Sequence, residues 1–183
     1  MIKEFAFSLH KRHYFQDASE EANWHGIDSD TFMSLYDYDE YVKEYFAKHE
    51  TLAGFDGMIY MPDEFILDID GPSFKQAVDK AKGLKILLID LEIPYKLYFS
   101  GTGFHFNIPS DSFRWKPDPN LHLKVKDALN LAGVFEYADP SVTDKIRLIR
   151  VPNTLNHKSK LYKVQIKENW LEMDDLEEKI ASY

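Results

Sequence analysis

The sequence predicts an α+β fold, because strand-like and helix-like stretches both recur along the chain. Residues 64–69 and 104–108 are short apolar runs bounded by Pro, Gly or Ser, a pattern typical of strands. Residues 38–50 instead carry apolar side chains at the spacing of one helical face. The 183 residues, of which 44% are hydrophobic and 15% aromatic, suffice for one domain with a substantial core.

The N-terminal part of the chain mixes both kinds of element. The alternation of Phe5, Phe7 and Leu9 suggests a short strand, and residues 19–22 suggest a helical turn. The helix over residues 38–50 follows, and we interpret its tyrosines as core residues.

The next part is predicted to begin with a hairpin, in which residues 57–61 and 64–69 pair across a turn at Pro62-Asp63. A long helix over residues 72–93 follows, opened by a Pro-Ser pair and carrying one apolar stripe. A helix placed there covers one face of the sheet and leaves the other face for chemistry.

A second hairpin is predicted from residues 95–99 and 104–108, joined by a glycine-containing turn at residues 100–103. A helix over residues 118–133 ends at a glycine, and residues 134–138 are interpreted as a strand.

The C-terminal part is predicted to hold two linked strands, over residues 146–151 and 161–166, and an acidic helix over residues 170–183. No apolar run approaches the roughly 18 residues that would span a bilayer. Charged residues interrupt the N-terminus too early for a secretory signal, so we expect a cytoplasmic protein without membrane contact. The absence of cysteine excludes disulfides, thiolate zinc sites and cysteine nucleophiles, so any metal must sit on Asp, Glu or His.

The charge of the chain is unevenly distributed. The net charge is −9, but residues 145–167 contain seven Lys and Arg and no Asp or Glu, so this segment carries +7 and leaves −16 to the rest. The seven cations are Lys145, Arg147, Arg150, Lys158, Lys160, Lys163 and Lys167. A solvated basic face usually mixes signs, so we interpret this segment as a local surface for phosphate groups.

Two aspartates end the strand over residues 64–69. Because side chains alternate along a strand, Asp68 and Asp70 project together while Leu67 and Ile69 point into the core. Two neighbouring carboxylates repel each other unless a cation neutralises them, and Mg²⁺ or Mn²⁺ suits carboxylate oxygens. The alternative is a strand end with two solvated aspartates.

The turn at residues 100–103 reads Ser-Gly-Thr-Gly, in which two glycines let backbone N–H groups approach a ligand. On the strand that follows, His105 and Asn107 share one face, opposite the apolar residues of that strand. A purely structural histidine is the alternative. Asp139 repeats the pattern of a carboxylate that follows a strand-like run.

Arg147 and Arg150 lie three positions apart, so they cannot share a face of a regular strand. Either a bulge rotates one of them or only one faces the site. Carboxylates, a glycine turn with a histidine, and basic strands together suit phosphoryl transfer, in which two cations and basic side chains stabilise charge on phosphate.

The order of three motifs resembles the archaeo-eukaryotic primase superfamily, including its primase-polymerases. The motifs are Asp68-Ile69-Asp70, then Ser100-Gly101-Thr102-Gly103-Phe104-His105, then Asp139 with Arg147-Leu148-Ile149-Arg150 and Lys158. The resemblance covers roughly residues 57–166. It implies an RRM-like catalytic β-sheet with flanking helices, an N-terminal α/β unit, and DNA-templated joining of nucleoside triphosphates (NTP or dNTP) in replication.

The resemblance also implies a role for each matching residue. Asp68, Asp70 and Asp139 would be the catalytic carboxylates that hold two Mg²⁺ or Mn²⁺ ions. The triphosphate of the nucleotide would be held by Ser100, Gly101, Gly103, His105, Arg147, Arg150 and Lys158. Many relatives have Ser where this chain has Gly103, so we expect a backbone N–H to replace a hydroxyl there.

The expected organisation is one primase-polymerase domain over residues 1–183. It comprises an N-terminal α/β part (1–56), a catalytic core (57–166) and a C-terminal helix (167–183). Primase domains of mobile elements often form the front half of a primase-helicase, so the chain could be a fragment of a longer protein. The expected partners are a single-stranded DNA template and a helicase or single-strand-binding protein. The cysteine-based zinc element of many primases is absent.

Three other functions fit parts of the pattern. A metal-dependent glycosyltransferase also uses D-x-D, for a nucleotide-sugar diphosphate. A rolling-circle initiation nuclease needs a second histidine where this chain has Asn107. A non-enzymatic RRM-like module would bind RNA or single-stranded DNA through exposed aromatic side chains, without needing the three aspartates.

Overall fold

The computed structural model describes residues 1–27 and 29–182. Within these ranges the strands are β1 Ile2–Ala6, β2 Tyr14–Asp17, β3 Phe32–Ser34, β4 Asp37–Tyr38, β5 Ile59–Tyr60, β6 Glu64–Ile69, β7 Lys96–Phe99, β8 Phe104–Pro109, β9 Leu148–Arg150, β10 Leu155–Asn156, β11 Leu161–Tyr162 and β12 Val164–Gln165. The α-helices are α1 Tyr41–His49, α2 Phe74–Asp90, α3 Leu121–Leu131 and α4 Leu176–Ala181. The predicted α+β class is confirmed.

Two antiparallel sheets form the framework. In the six-stranded sheet, β1 pairs with β2 along one edge and with β3 and then β4 along the other. Strand β9 continues the sheet beyond β3, and β5 continues it beyond β4. Strands from the predicted core therefore complete the sheet that the N-terminal part begins.

The four-stranded sheet has the order β12-β7-β8-β6, and all its pairs are antiparallel. The predicted hairpin of β7 and β8 is confirmed. Helix α2 begins where the Ser73 hydroxyl accepts a hydrogen bond from the N–H of Gln76 at 3.3 Å. It buries a stripe at helical spacing, made of Ala77, Ala81, Leu84 and Leu88. The RRM-like arrangement of this sheet stays a prediction.

One predicted pairing is wrong, and one predicted strand is divided. Strands β5 and β6 form no hairpin, because β5 pairs with β4 and β6 pairs with β8 in the other sheet. Pro62 and Asp63 thus cross from one sheet to the other. Strand β9 joins β3. The strand predicted over residues 161–166 is divided at Lys163 into β11, paired with β10, and β12, paired with β7. Alternation along a chain predicts strands but does not choose their partners.

The strand predicted over residues 134–138 is a 3-10 helix, Val134–Glu136, instead. Gly133 adopts a left-handed conformation (φ 75°) and turns the chain directly into this helix. Val134 and Ala138 are both buried, and the N–H of Ala138 donates to the carbonyl of Val134 at 3.0 Å. Their spacing of four is therefore helical, a pattern that a five-residue apolar run cannot distinguish from a strand.

The predicted C-terminal helix is divided into a 3-10 helix, Glu168–Glu172, and helix α4, while its last residue, Tyr183, lies outside the described residues. Among the described residues, no helix is long and apolar enough to cross a membrane. The seam between the two sheets contains two clefts, each lined by residues of both sheets. The first cleft, of about 190 Å³, contains most of the residues singled out in the sequence.

Candidate active site

Strands β6 and β8 supply the floor of the first cleft. Asp68 and His105 are directly opposite each other across the two strands, and both are buried. The Nε2 atom of His105 lies 3.4 Å from Oδ1 of Asp68. Burial, together with the positive charge of Lys163, lowers the pKa of His105 to about 4. His105 is therefore a neutral imidazole that presents a ring N–H to the Asp68 carboxylate.

Asp68 remains ionised although it is only 6% exposed. Burial alone would raise its pKa, but the hydrogen bond from His105 and the charge of Arg147 outweigh burial and lower the pKa below its usual value. Asp68 is thus a carboxylate held in one orientation by neighbours on both sides.

Asp139 reaches the same place from a distant part of the chain. Its backbone N–H donates to the carbonyl of Asp68 at 2.8 Å. Its carboxylate caps the 3-10 helix Pro140–Thr143 by accepting from the N–H of Ser141 at 2.9 Å and from the Ser141 hydroxyl at 2.5 Å. The sequence Asp-Pro-Ser contains this cap, since Asp before Pro is typical of a helix start.

Asp70 lies just beyond the end of β6 and is exposed to solvent. Partial burial and the negative charges of Asp68 and Asp139 raise its pKa. No ion pair to its carboxylate occurs within the described part of the chain. We refer to Asp68, Asp70 and Asp139 together as the acidic cluster.

Arg147 is the internal cation of the acidic cluster. One of its terminal nitrogens lies 3.1 Å from Oδ2 of Asp68 and 3.3 Å from Oδ2 of Asp139. The Nε atom of Arg147 is buried and makes no hydrogen bond to the described residues. The side chain is 31% exposed, so the guanidinium closes the gap between two carboxylates at the wall of an open cleft.

The donor chemistry of the acidic cluster suits a hard divalent cation, because carboxylate oxygens are the ligands that Mg²⁺ and Mn²⁺ prefer. The unpaired Asp70, with its raised pKa, also marks a position where positive charge is lacking. In the described residues, however, no three acidic or histidine side chains stand ready to coordinate an ion together. Arg147 occupies the facing oxygens of Asp68 and Asp139, so it must turn away before all three carboxylates can share a cation.

The glycine turn forms one rim of the first cleft. The Ser100 N–H donates to the carbonyl of Gly103 at 2.9 Å, and the Gly103 N–H donates to the Ser100 hydroxyl at 3.2 Å. The sequence predicts that this N–H replaces a serine hydroxyl as a donor to the ligand. In the structure it is not available for that role, because it is engaged inside the turn. A Cβ atom at Gly103 would stand 2.3 Å from the carbonyl oxygen of Ile69. Position 103 is glycine because the turn touches the end of β6.

Gly101 has φ 103°, and a Cβ atom there would stand 2.6 Å from the side chain of Asn156. Thr102, at the tip of the turn, and Asn156 both line the first cleft. Thr102 belongs to the turn that the sequence singles out, whereas the sequence did not indicate Asn156. Asn156 is buried, and its amide oxygen accepts from the N–H of Lys158 at 3.0 Å. Lys158 itself has an exposed side chain and lies outside the first cleft as lined by the described residues.

Arg150 also lines the first cleft, so both arginines reach it although they lie three positions apart. They do so because Arg147 precedes β9 and Arg150 ends it. Arg150 forms a close ion pair with Asp30, donates to the carbonyl of Leu155 at 2.9 Å, and lies over the ring of Phe32 at 4.8 Å. Nothing in the sequence around Asp30 indicates this partner.

The seven cations of residues 145–167 do not form one basic surface. Lys145 donates to the carbonyl of Phe55 at 2.6 Å, and the two arginines pair with aspartates. Lys163 is fully buried, donates to the carbonyl of Arg150 at 2.7 Å, and has its pKa lowered to about 7 by burial. The exposed side chains are those of Lys158, Lys160 and Lys167.

Comparison with solved structures finds a likeness to the polymerase domain of Ligase D from Mycobacterium tuberculosis, a structure in complex with DNA. The TM-score is 0.50 at 13% sequence identity, and the match covers 84% of this chain and 60% of that chain. This chain therefore spans somewhat less than two thirds of the length of that chain. No family model and no curated protein matches the chain. At such low identity the likeness concerns the fold alone, and the α+β fold of this chain is similar to that of a DNA polymerase domain.

Proposed function

We propose that the chain is a DNA-templated nucleotidyltransferase of the primase-polymerase type, which joins nucleoside triphosphates on single-stranded DNA. The observation that carries this proposal is the meeting of Asp68 and Asp139 at one guanidinium, that of Arg147, with Asp70 close enough for both carboxylates to raise its pKa. Strand β6 and the turn at Asp139 are separated by about 70 residues of sequence, yet the N–H of Asp139 bonds to the carbonyl of Asp68. The likeness in fold to a polymerase domain supports the same proposal.

The acidic cluster is the proposed site for two Mg²⁺ or Mn²⁺ ions, with Asp68, Asp70 and Asp139 as ligands. When bound, such ions activate the attacking oxygen and stabilise the leaving pyrophosphate in an in-line displacement. The protein contributes carboxylates that are already fixed in position. His105 and the cross-strand pairing hold Asp68, while Ser141 holds Asp139, so neither carboxylate has to be ordered when the cleft fills.

Arg147 has a proposed second position in this mechanism. In the structure it neutralises Asp68 and Asp139. Asp68 and Asp139 would hold the ions in its place, and the guanidinium would then donate to a phosphate oxygen in the cleft. Its partial exposure and its unpaired Nε support this exchange, because only part of the side chain has to leave a packed environment.

The remaining triphosphate contacts are proposed for the glycine turn, Arg150 and Lys158. Ser100 and Thr102 line the cleft beside the acidic cluster. Arg150 would approach phosphate while keeping its pairing with Asp30. A direct contact between His105 and the triphosphate stays a prediction, since the ring N–H of His105 points at Asp68.

The template is proposed to bind weakly to the isolated chain. Lys158, Lys160 and Lys167 are the exposed cations of the basic segment, whereas the rest of the chain carries an excess of acid. About two to four neutralised phosphates correspond to a shallow dependence of affinity on salt. A helicase or a single-strand-binding protein would then hold the enzyme on its template.

The decisive experiment incubates the protein with single-stranded DNA, labelled nucleotides and Mn²⁺, with and without a primer. A ladder of products that disappears with EDTA and with Asp68→Asn supports the proposal. The matched control is Asp79→Asn, which makes the same change at an exposed position of α2. Product without a primer identifies a primase, and product only with a primer identifies a polymerase.

Two outcomes would replace the proposal. DNA or RNA binding that is indifferent to EDTA and to Asp68→Ala, without any product, would identify a non-enzymatic binding module. Hydrolysis of a sugar nucleotide without polymer formation would identify a D-x-D glycosyltransferase.

A further inference from the structure

The second cleft, of about 590 Å³, lies at the other end of the seam between the sheets. Strand β6 connects the two clefts, because Asp68 lines the first while Ile66 and Glu64, which share its face, line the second. On β8, Asn107 lines the second cleft two positions beyond His105. The second cleft contains no residue of the acidic cluster and has no role in the function proposed above.

Asn107 supplies a buried acceptor that lacks a donor. The side chain is 3% exposed, and its amide nitrogen donates to Oε2 of Glu64 at 2.9 Å. This bond fixes the orientation of the amide, because a carboxylate only accepts. The amide oxygen therefore faces the other way, and it has no hydrogen-bond partner among the described residues. A buried acceptor without a donor is costly, so this atom marks a place for a ligand that donates.

The charge of the lining favours a cation as the ligand. Five carboxylates line the second cleft: those of Asp17, Glu21, Asp37, Asp63 and Glu64. The positive groups in the lining are already paired. Lys3 contacts Asp37 at 2.8 Å, Lys96 contacts Glu64 at 2.5 Å, and the amino group of Met1 lies 3.7 Å from Asp17.

Two carboxylates of the second cleft keep most of their negative charge unmatched. Asp63 is exposed and forms no ion pair within the described part of the chain. Glu21 lies 3.8 Å from Lys3, which is shared with Asp37, and 3.7 Å from His25. A phosphate group would be repelled here, whereas a positive group would be attracted.

Apolar side chains form the remaining walls of the second cleft, among them Met33, Leu35 and Ile66. We propose that the cleft binds an organic cation, with a guanidinium or ammonium group carried on an aliphatic stem. The charged group donates to the amide oxygen of Asn107 and is neutralised by Glu21 and Asp63. The stem packs on the apolar walls, as the side chains of arginine and lysine do elsewhere in proteins.

The test is a titration of the ¹⁵N-labelled protein with butylguanidinium, followed by NMR. The side-chain amide signal of Asn107 should shift and saturate. The matched control ligand is butylurea, which has nearly the same shape without the charge and should bind at least about tenfold more weakly, since it loses a charge-assisted hydrogen bond. Equal affinity for the two compounds would overturn the proposal, and so would the lack of any saturable shift.

Three variants test whether butylguanidinium binds in the second cleft. Asn107→Leu should weaken butylguanidinium binding about tenfold, and Asp63→Asn, an exposed change that leaves the core intact, about threefold. Asp70→Asn should leave the affinity unchanged. If Asp70→Asn abolishes the shifts, or if they appear at the amides of Gly101 and Gly103 instead, the cation binds the acidic cluster and the proposal is wrong.

A third ligand, acetyl-arginine methylamide, distinguishes between two sources of the cation. Tighter binding of this compound than of butylguanidinium assigns the second cleft to an arginine presented by a partner protein. Weaker binding assigns it to a free small molecule. Both results depend on the second cleft alone, so they are independent of whether the chain joins nucleotides.

Discussion

The two clefts in the seam are both rich in carboxylates, but they hold their internal cations in different ways. Arg147 sits at the wall of the first cleft, is 31% exposed, and belongs to a short connection before β9. Lys3 lies beneath the second cleft, is 2% exposed, and belongs to β1 at the middle of the larger sheet. An exposed cation can yield its carboxylates to a ligand, whereas a buried one is part of the fold. The difference separates a partly exposed cation, Arg147, from a permanently buried one, Lys3.

The strongest test of this contrast removes one charge from the first cleft. Asp68→Asn should lower nucleotide incorporation on the order of 10³-fold or more, because electrostatic stabilisation of the transition state depends on that carboxylate. Circular dichroism should show an unchanged fold. Near-normal activity in primer extension would remove the acidic cluster from the mechanism.

The matching change in the second cleft should affect stability and leave activity intact. Lys3→Met strands the buried Asp37 without its cation, which should cost about 3 kcal/mol of unfolding free energy at neutral pH. Burial already raises the pKa of Asp37, and loss of Lys3 raises it further, so the ionised form is the destabilised one. The loss should therefore shrink as the pH falls through that pKa. Urea unfolding at two pH values measures this, and an equal loss at both would contradict it.

Arg147→Ala tests the exchange of cations directly. Incorporation should fall about 10²-fold in kcat/KM, because a group that stabilises phosphate charge is lost. Mn²⁺ should nevertheless bind more tightly to the variant, since no guanidinium competes for Asp68 and Asp139. Calorimetric titration with Mn²⁺ gives the second quantity, and Arg147→Lys is the control that retains the charge. Weaker Mn²⁺ binding in the alanine variant would mean that Arg147 assists the ions.

His105→Ala should raise KM about tenfold, with a smaller change in kcat, because the proposed hydrogen bond from His105 to a non-reacting phosphate oxygen would act alike in the ground and transition states. His105→Gln, which keeps a side-chain N–H, should recover part of the loss. With a pKa lowered to about 4, the histidine stays neutral above pH 5, so its removal should leave the pH profile between 5 and 8 unchanged. A shifted profile would show that His105 titrates during the reaction.

The smallest expected effect concerns Asp70. Because its pKa is raised in the folded state, its ionisation works against folding, and stability is lost as the pH rises through that pKa. Asp70→Asn should therefore raise Tm in EDTA at pH 7 by about 1–3 °C, a small value because the side chain is exposed. The gain should vanish at acid pH and in the presence of Mn²⁺. A lower Tm at pH 7 would indicate that Asp70 has a stabilising partner.

The sequence predicted the parts of the site that follow from alternation along a strand. Alternation places Asp68 on one face with Asp70 and His105 on one face with Asn107, and the structure pairs Asp68 directly with His105. The position of Asp139 in the chain was also noted, although the strand expected before it is a short helix. Local pattern sufficed there because the relevant neighbours are one or two residues away.

What the sequence could not predict are contacts between distant segments. The pairing of Arg150 with Asp30 spans 120 residues, and no local pattern indicates it. The pairing and burial of the cations in residues 145–167 could not be predicted for the same reason. A run of cations without acids says nothing about acids contributed by other strands, and burial of Lys163 depends on the assembled sheet.

The contact of Gly103 with the carbonyl of Ile69 limits the changes of chain length that this protein can tolerate. The turn meets the end of β6 with no space for a Cβ atom, so it fixes the register in which β6 and β8 pair. A single-residue insertion or deletion in β6 next to Ile69 would exchange the two faces of the rest of that strand. Asp68 and Glu64 would then leave both clefts at once, and apolar side chains would take their places. Natural variation in length should therefore be absent from these two strands and should accumulate in connections such as the one between β8 and α3, which contains no residue of the proposed site.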